Sequence, residues 1–358
     1  MSATPQDRPS ATIYSVAELA GVSIASVSRV LQGSATVSEA TRSKVLEAAA
    51  RLNYVPLAAA RSLAVRQHEA HGLVLPELSG PYYSELLLGF ESRAAELGQS
   101  VVLLLTQGKQ DIGRAVRQLA TRADGVAMLG STIPDDVVHS LNGSKPLVMI
   151  SGDPRPGVEA ISAENHDSAG LLTTHLMVDH GRRQLLFIGD PEAAPDVRDR
   201  YRGFTDAHTA LGRRASKAVA IPFREAEGAA VGDRLLADRL KADGVVCAND
   251  ELALSIMARL EEGGRDVPRD IAVVGWDDVM AARYIRPGLT TVRQPVHDLG
   301  SLAAERLHER VLGGPAMVQP RVLPTEVVLR ASCGCPEPPA TRYTSAATED
   351  SPRKERHP

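Results

Sequence analysis

The residues that can do chemistry here are those of a surface built to read another molecule. Val16–Ala20, then Gly21-Val22-Ser23, then Ile24–Leu31 read as two short helices joined by a glycine-containing turn. That is the helix-turn-helix pattern, in which the first helix braces the second and the second lies in the major groove of DNA. Ile24, Ala25, Ser26, Ser28 and Arg29 are the outward positions of the second helix, with Val27, Val30 and Leu31 inward. A helix–glycine–helix alone also occurs in many small helical domains. Catalytic signatures are absent: no Gly-x-x-x-x-Gly-Lys-[Ser/Thr], no Gly-x-Gly-x-x-Gly after a strand, no Gly-x-Ser-x-Gly and no His-Glu-x-x-His. No nucleophile–base pair is visible, so the chain is expected not to be an enzyme. Cys333-Gly334-Cys335 has a spacing that can hold metal or do redox chemistry, but no histidine stands near it in the chain. His175 and His180, five apart, share no helical face and read as surface. No metal and no cofactor are expected.

The elements that must position these residues follow from periodicity. Ser15 and Glu18 have the spacing of a capping box, and Val16, Leu19 and Ala20 then form an apolar face. Ser23 can cap the second helix. Ser38 can cap a third, in which Val45, Leu46, Ala49 and Leu52 recur at helical spacing, and Pro56 ends the unit. Residues 57–65 form one short alanine-rich helical stretch before a polar linker. From 71 to 331 apolar runs alternate with amphipathic segments. The runs are Gly72–Leu75, Ser100–Leu105, Gly125–Leu129, Leu147–Ile150, Gln184–Ile188, Lys217–Ile221, Gly244–Cys247 and Ile271–Val274. Helices are expected at Tyr82–Leu97, His166–Asp179, Arg198–Leu211, Leu252–Glu262 and Val296–Leu312. This alternation argues for parallel sheets covered by helices on both faces, arranged as two similar sheets with a cleft between them.

Length and composition bound the reading. The 358 residues call for two or three domains. An apolar fraction of 43% with only 3% aromatics leaves Leu, Val, Ile and Ala to pack the core. Lys and Arg number 40 against 44 Asp and Glu, which excludes a uniformly basic coat or histone-like binder while permitting a local basic patch. Residues 12–66 are such a patch, with Arg29, Arg42, Lys44, Arg51, Arg61 and Arg66 against Glu18, Glu39 and Glu47. Three cysteines make no disulfide framework and fit a reducing compartment. No apolar run suits a membrane span, and the first residues lack a signal peptide's basic and apolar regions. Residues 1–11 and 332–358, rich in Ser, Thr, Pro and charge, read as a disordered leader and tail.

The wording of several segments is more specific than these patterns. Residues 12–31, from Thr12-Ile13-Tyr14-Ser15-Val16-Ala17-Glu18-Leu19-Ala20-Gly21-Val22-Ser23 through Ser28-Arg29-Val30-Leu31, resemble the headpiece of the lactose/galactose repressor (LacI/GalR) family. So do Val37-Ser38-Glu39-Ala40-Thr41-Arg42, Leu52-Asn53-Tyr54-Val55-Pro56 and Ala60-Arg61-Ser62-Leu63. The resemblance continues through Ala248-Asn249-Asp250, Val273–Asp278 and Pro287–Val292, over about 320 residues. It implies a small all-α helix-turn-helix headpiece followed by an α/β periplasmic-binding-protein-like sensor with two doubly wound parallel-sheet subdomains. The expected boundaries are 12–56 for the headpiece, 57–70 for a hinge helix and linker, and 71–331 for the sensor. Within the sensor, 71–165 with 295–322 and 166–294 with 323–331 form the two subdomains.

The resemblance also assigns roles. Ile24 and Ala25 match base-facing positions, where apolar side chains can touch a thymine methyl. Arg29 matches the base-reading arginine, a phosphate contact being its alternative role. Ser23, Ser26, Ser28 and Thr41 are placed to bond phosphates, and Tyr14 and Tyr54 to combine packing with a phosphate contact. Leu63 matches a wedge that enters the minor groove from a hinge helix formed on DNA; its alternative is a packed linker residue. On the ligand side Tyr82, Tyr83, Arg198, Phe223, Asn249 and Asp277 match contacts at strand C-termini, the alternatives being core aromatics and helix caps. Asp250 and Asp278 are expected to be caps. Ser79-Gly80-Pro81 departs from the family's usual Asn before Pro, and Asp153 in Ser151-Gly152-Asp153 has no match. The implied protein is a cytoplasmic, ligand-responsive repressor that binds double-stranded operator DNA as a homodimer, with a sugar or sugar derivative as effector and no membrane partner. The runner-up is a plain small-molecule binding protein.

Overall fold

The computed structural model describes residues 11–31, 36–54, 68–317, 319–336 and 342–344, in two units, Met1–His68 and Glu69–Pro358. Residues 1–10 of the leader expected at 1–11, the hinge stretch with Leu63, and most of the tail lie outside the described residues.

In the first unit the opening helix starts three residues before the Ser15–Glu18 box expected from sequence. Thr12 is the N-cap of α1 (Ile13–Ala20), and its side chain accepts from the Ser15 amide while Ser15 Oγ accepts from the Thr12 amide at 2.8 Å. Two hydroxyls thus do what a Ser/Thr–Glu pair usually does, leaving Glu18 exposed on the helix. Gly21, in the left-handed region at φ 65°, closes α1 and turns the chain into α2 (Ile24–Leu31), 105° from α1. Ser23 Oγ accepts from the Ser26 amide at 3.1 Å, and Ser38 caps α3 (Glu39–Arg51) through the Thr41 amide. Val16, Ala17, Val27, Val30, Val45, Ala48 and Ala49 form the core of this unit. Leu19 and Leu46, expected inward, are 43% and 51% exposed. One residue turns a helical side chain by about 100°, and Ala17 and Ala48 occupy the interior positions instead.

The second unit carries a six-stranded parallel sheet: β1 (Ala70–Leu75), β2 (Ser100–Leu105), β3 (Gly125–Leu129), β4 (Leu147–Ile150), β5 (Glu159–Ala163) and β10 (Arg321–Leu323), in the order β10-β5-β4-β3-β1-β2. One face is covered by α4 (Pro81–Glu96) and α12 (Val296–Val311), the other by α5 (Ile112–Ala120) and α6 (Asp135–Asn142). α4 and α12 touch backbone to backbone: a Cβ on Gly89 would lie 2.0 Å from His297 O, and one on Gly300 2.1 Å from Leu86 O. Buried Glu159 at the head of β5 is held by Arg306 Nε at 2.6 Å, which is why a strand beginning with a carboxylate can lie inside the sheet.

The other lobe is built on three parallel strands in the order β6 (Leu185–Ile188), β7 (Gly244–Cys247), β8 (Ala272–Val274). α7 (His166–Val178) and α8 (Pro195–Ala210) cover one face, α9 (Glu225–Leu236) and α10 (Asp250–Glu262) the other, and the short α11 (Met280–Tyr284) follows β8. Of the expected strand at Lys217–Ile221, only Val219 pairs, exchanging backbone bonds with the edge of β6; Pro222 has no amide to continue a ladder. An antiparallel sheet of β9 (Thr291–Arg293), β11 (Glu326–Val328) and β12 (Arg342–Thr344) completes the lobe. The chain passes between lobes at residues 164–165, 294–295 and 324–325, and two of these passages are bonded together through Glu164 N to Leu323 O (2.8 Å) and Ser168 Oγ to Thr325 Oγ1 (2.8 Å).

The tail expected from 332 onward begins as core. Ser332 and Cys333 are fully buried, Ser332 Oγ donating to Val273 O and accepting from the Thr290 amide. Arg342–Thr344 pair with β11. Polar composition suggested disorder, but the Ser332 hydroxyl and the backbone of Arg342–Thr344 have partners inside the lobe.

Candidate functional site

The outward face of α2 carries the residues expected to read DNA. Ser23, Ile24, Ala25 and Arg29 are exposed, and Ser26 and Ser28 are partly so. Tyr14 is 68% exposed, a position that packing against this unit's own core does not explain. Tyr54 is half-buried against the core, and Thr41 is partly buried with its Oγ1 3.0 Å from Ser38 Oγ. Ser23 and Ser26 share a hydroxyl contact at 3.0 Å, so each keeps further lone pairs for an outside partner. Leu63 lies outside the described residues.

In the second unit a cavity of about 670 Å³ opens between the lobes, at the carboxyl ends of the strands of both. Pro76 and Glu77 follow β1, Gly130 follows β3 and Ser151 follows β4; facing them, Asn249 follows β7 and Asp277 follows β8. Tyr82 and Tyr83, on the first turn of α4, line the cavity with their rings edge to face at 5.6 Å. Burial raises both phenols, Tyr83 to about 12 with help from the Glu77 charge, so both are hydrogen-bond donors at any ordinary pH. Tyr82 Oη is 3.4 Å from Ser151 Oγ. Phe223 lies on the opposite wall.

Asp277 sits at the cavity wall in the left-handed region, φ 119°, held by Gln294 Nε2 at 2.5 Å. Burial pushes its carboxyl up to about 7, against the pull of Arg200, with Asp250 and Asp196 adding repulsion. Burial likewise raises Asp196. Asn249 caps α10 through Oδ1, bonded by the Leu252 amide at 3.0 Å, which leaves its NH2 as the group it can offer a ligand.

Arg198 is not in this cavity. It is 44% exposed and pairs at 2.5 Å with Asp153, the residue after β4 that had no assignment, so that a charge pair spans the two lobes. The arginine that lines the cavity is Arg200, 5% exposed. Its Nε donates to Asn165 Oδ1 at 2.7 Å, its Nη1 to Ala248 O at 2.6 Å, and its guanidinium lies 4.5 Å from the centre of the Trp276 ring. The signal was there: Arg200 is one turn from Gly203, whose missing side chain lets α8 lie against the His166 backbone, and so shares its inward face. Arg198, five before that glycine, faces outward. Asp196, Glu77, Glu251 and Gln294 also line the cavity and were not foreseen.

Asp250 and Asp278, expected as caps, have their side chains in the interior. Asp250 accepts from the Val279 amide (2.9 Å) and Thr291 Oγ1 (2.6 Å). Asp278, its side chain fully buried, pairs with Arg293 at 2.7 Å and Arg330 at 2.5 Å. These bonds pin the strand end that presents Asp277. His175, expected at the surface, has a side chain only 10% exposed and lies beside Cys333 and Cys335. Helix α7 brings it there from 158 residues away along the chain.

A helix-turn-helix unit joined to a two-lobed α/β unit with a cavity at its strand ends defines a ligand-responsive DNA-binding regulator. Residues 12–56 match the family described as bacterial regulatory proteins, lacI family, and residues 174–333 match the periplasmic binding protein-like domain. The chain is 33% identical over 327 residues to the ribose operon repressor of Escherichia coli (strain K12), covering 89% of this chain and 98% of that one. It is 32% identical over 315 residues to the HTH-type transcriptional repressor PurR of Vibrio parahaemolyticus, covering 84% and 92%. Its fold superposes on the lac repressor dimer bound to operator and the anti-inducer ONPF with a TM-score of 0.81 at 28% identity, covering 91% and 99%. The chain belongs to the LacI family of bacterial regulatory proteins. It is a transcription regulator and not an enzyme. Among the described residues no single helix is long and apolar enough to cross a membrane.

Proposed function

We propose that this regulator is a repressor that binds a two-fold operator as a homodimer in the cytoplasm, where that DNA lies, and that a neutral, hydroxyl-rich small molecule in the cleft controls it. The observation that carries the effector class is the charge of the cavity. Glu77, Asp196, Glu251 and Asp277 face it, with Arg200 the one cationic side chain in its lining among the described residues. A phosphorylated effector would meet that excess of carboxylates; a sugar or sugar derivative donates hydroxyl hydrogens to them and accepts from Arg200 and the Asn249 amide. Tyr82, Tyr83 and Phe223 suit the apolar C–H face of such a ring. On the DNA side Arg29 reads a guanine, Ile24 and Ala25 contact thymine methyls, and Ser23, Ser26, Ser28, Thr41, Tyr14 and Tyr54 take phosphates. Leu63, outside the described residues, is by the family resemblance the wedge for the central minor groove. The effector biases the lobes between two arrangements, and its control over DNA is bounded by its differential affinity for them, ordinarily about 1–3 kcal/mol per site.

The test is a thermal-shift screen of neutral monosaccharides, disaccharides, polyols and their phosphates, followed by operator titration with and without each hit. A neutral sugar that raises Tm and changes operator affinity supports the reading. Stabilisation by sugar phosphates alone refutes the effector class, and binding to DNA that is blind to sequence refutes the operator assignment.

A further inference from the structure

Four side chains from two distant stretches of chain meet at the C-terminal end of α7. His175 lies in its last turn and His180 just beyond, while Cys333 and Cys335 come from the turn after β11. Their ligating atoms all lie within 4.8 Å of one another. His175 Nε2 is 3.1 Å from His180 Nε2, 3.6 Å from Cys333 Sγ and 3.4 Å from Cys335 Sγ; Cys335 Sγ is 3.5 Å from His180 Nε2. A tetrahedral ion held at about 2.0–2.1 Å by nitrogen and about 2.3 Å by sulfur places its donors about 3.3 Å (N to N) and about 3.5 Å (N to S) apart. We propose that His175, His180, Cys333 and Cys335 form a structural site for one thiophilic divalent cation, zinc by its donor set.

The surroundings fit that reading. Asp179 Oδ2 holds His175 Nδ1 at 2.6 Å, which puts the proton on Nδ1 and turns the Nε2 lone pair inward, the carboxylate–histidine arrangement found behind bound zinc. The rings of His175 and His180 stand at 88° with centroids 4.7 Å apart, and their Nε2 atoms are 3.1 Å from each other. Gly334 between the cysteines has φ 116°, and a Cβ there would lie 2.8 Å from His180 Nδ1; the turn needs glycine to lay both sulfurs over the histidines. Cys333 is fully buried, whereas Cys335 and His180 are partly exposed and leave an ion a way in. Four protein donors close a tetrahedral shell, so the site holds structure and offers no position to a substrate.

The ion would staple the Cys333–Cys335 turn to α7. That turn follows directly on Arg330, which grips Asp278 at 2.5 Å, and Ser332, which bonds the end of β8 through Val273 O. Metal binding therefore stabilises the lobe that presents Asp277.

The test uses the full-length chain, purified without a metal-affinity step under reducing conditions. Elemental analysis should find one zinc per chain, and replacement by cobalt should give the visible bands of a tetrahedral ion with thiolate-to-cobalt charge transfer. Cys335→Ser and His180→Gln, both at the rim, should lose the stoichiometric metal, and Asp179→Ala should weaken zinc binding about ten- to a hundredfold. A chelator should lower the Tm of the parent by several degrees and leave that of Cys335→Ser unchanged. A cobalt spectrum of the parent without thiolate charge transfer overturns the proposal whatever the variants do, as does zinc retained equally by parent, Cys335→Ser and His180→Gln.

Discussion

Two arginines two residues apart on α8 make opposite predictions. Arg200→Ala removes a guanidinium that is 5% exposed, bonded to Asn165 Oδ1 and Ala248 O and 4.0 Å from Asp196. Two buried acceptors lose charged donors, at about 1–3 kcal/mol each, and Asp196 and Asp277 lose the cation between them. Together the loss is about 3–5 kcal/mol of stability, the range for breaking a buried charged pair. Arg198→Ala removes half of an exposed ion pair with Asp153 and costs about 0–1 kcal/mol. The assays are urea unfolding at neutral pH and operator titration with and without the effector found by screening. Arg200→Ala should unfold at a clearly lower midpoint and, where still folded, lose the effector response; Arg200→Lys, which keeps charge without the fork, should be intermediate. Arg198→Ala should keep its stability and bind effector. An Arg200→Ala protein of parental stability and response, or an Arg198→Ala protein that has lost effector binding, refutes the cavity assignment.

Three further outcomes are expected. Arg29→Ala should lose about 1–3 kcal/mol at one base pair of the operator and relax the preference there; equal weakening on every sequence in a DNA panel would make it a phosphate contact. Asp277 is raised in the fold from 3.8 to about 7, so it binds more protons folded than unfolded between those values. Its contribution to stability is full below about pH 4 and is lost as pH rises through about 7, so the parent should lose stability relative to Asp277→Asn across that window; parallel urea midpoints from pH 4 to 8 would contradict this. Arg306→Met strands the buried Glu159 carboxylate and should cost about 3–5 kcal/mol by urea denaturation, while a loss under about 1 kcal/mol would mean that Glu159 finds another partner.

Much of the fold follows from local pattern. The three helices of the first unit announce themselves through Ser23, Gly21 and Ser38, and the parallel sheets through apolar runs at regular spacing. Those signals act within a few residues, and what was hidden depends on longer range. Arg198 and Arg200 are nearly opposite on one helix turn, and only the packing of Gly203 on the His166 backbone tells which is inward. Asp250 and Asp278 look like caps because each follows a strand and opens a turn; Thr291 stands 41 residues from Asp250, and Arg293 and Arg330 stand 15 and 52 residues from Asp278. Cys333 and Cys335 read as tail because the residues after them are polar, while the histidines beside them are 153 or more residues upstream in the numbering of the chain. Glu159 masks a strand for the same reason, its arginine being 147 residues on.

Trp276, the one tryptophan of the chain, lies 1% exposed beneath Arg200 with its indole N–H unpartnered among the described residues. All indole fluorescence of this protein therefore comes from a ring one side chain away from the cavity between the lobes. Burial of that ring calls for blue emission shielded from iodide, with an intensity expected to follow the position of the guanidinium above it. An unlabelled sample thus reports occupancy of the cleft optically. The helix-turn-helix residues contribute no tryptophan of their own, so a change in emission on adding operator would come from the second unit, a direct optical record of the two sites acting on each other.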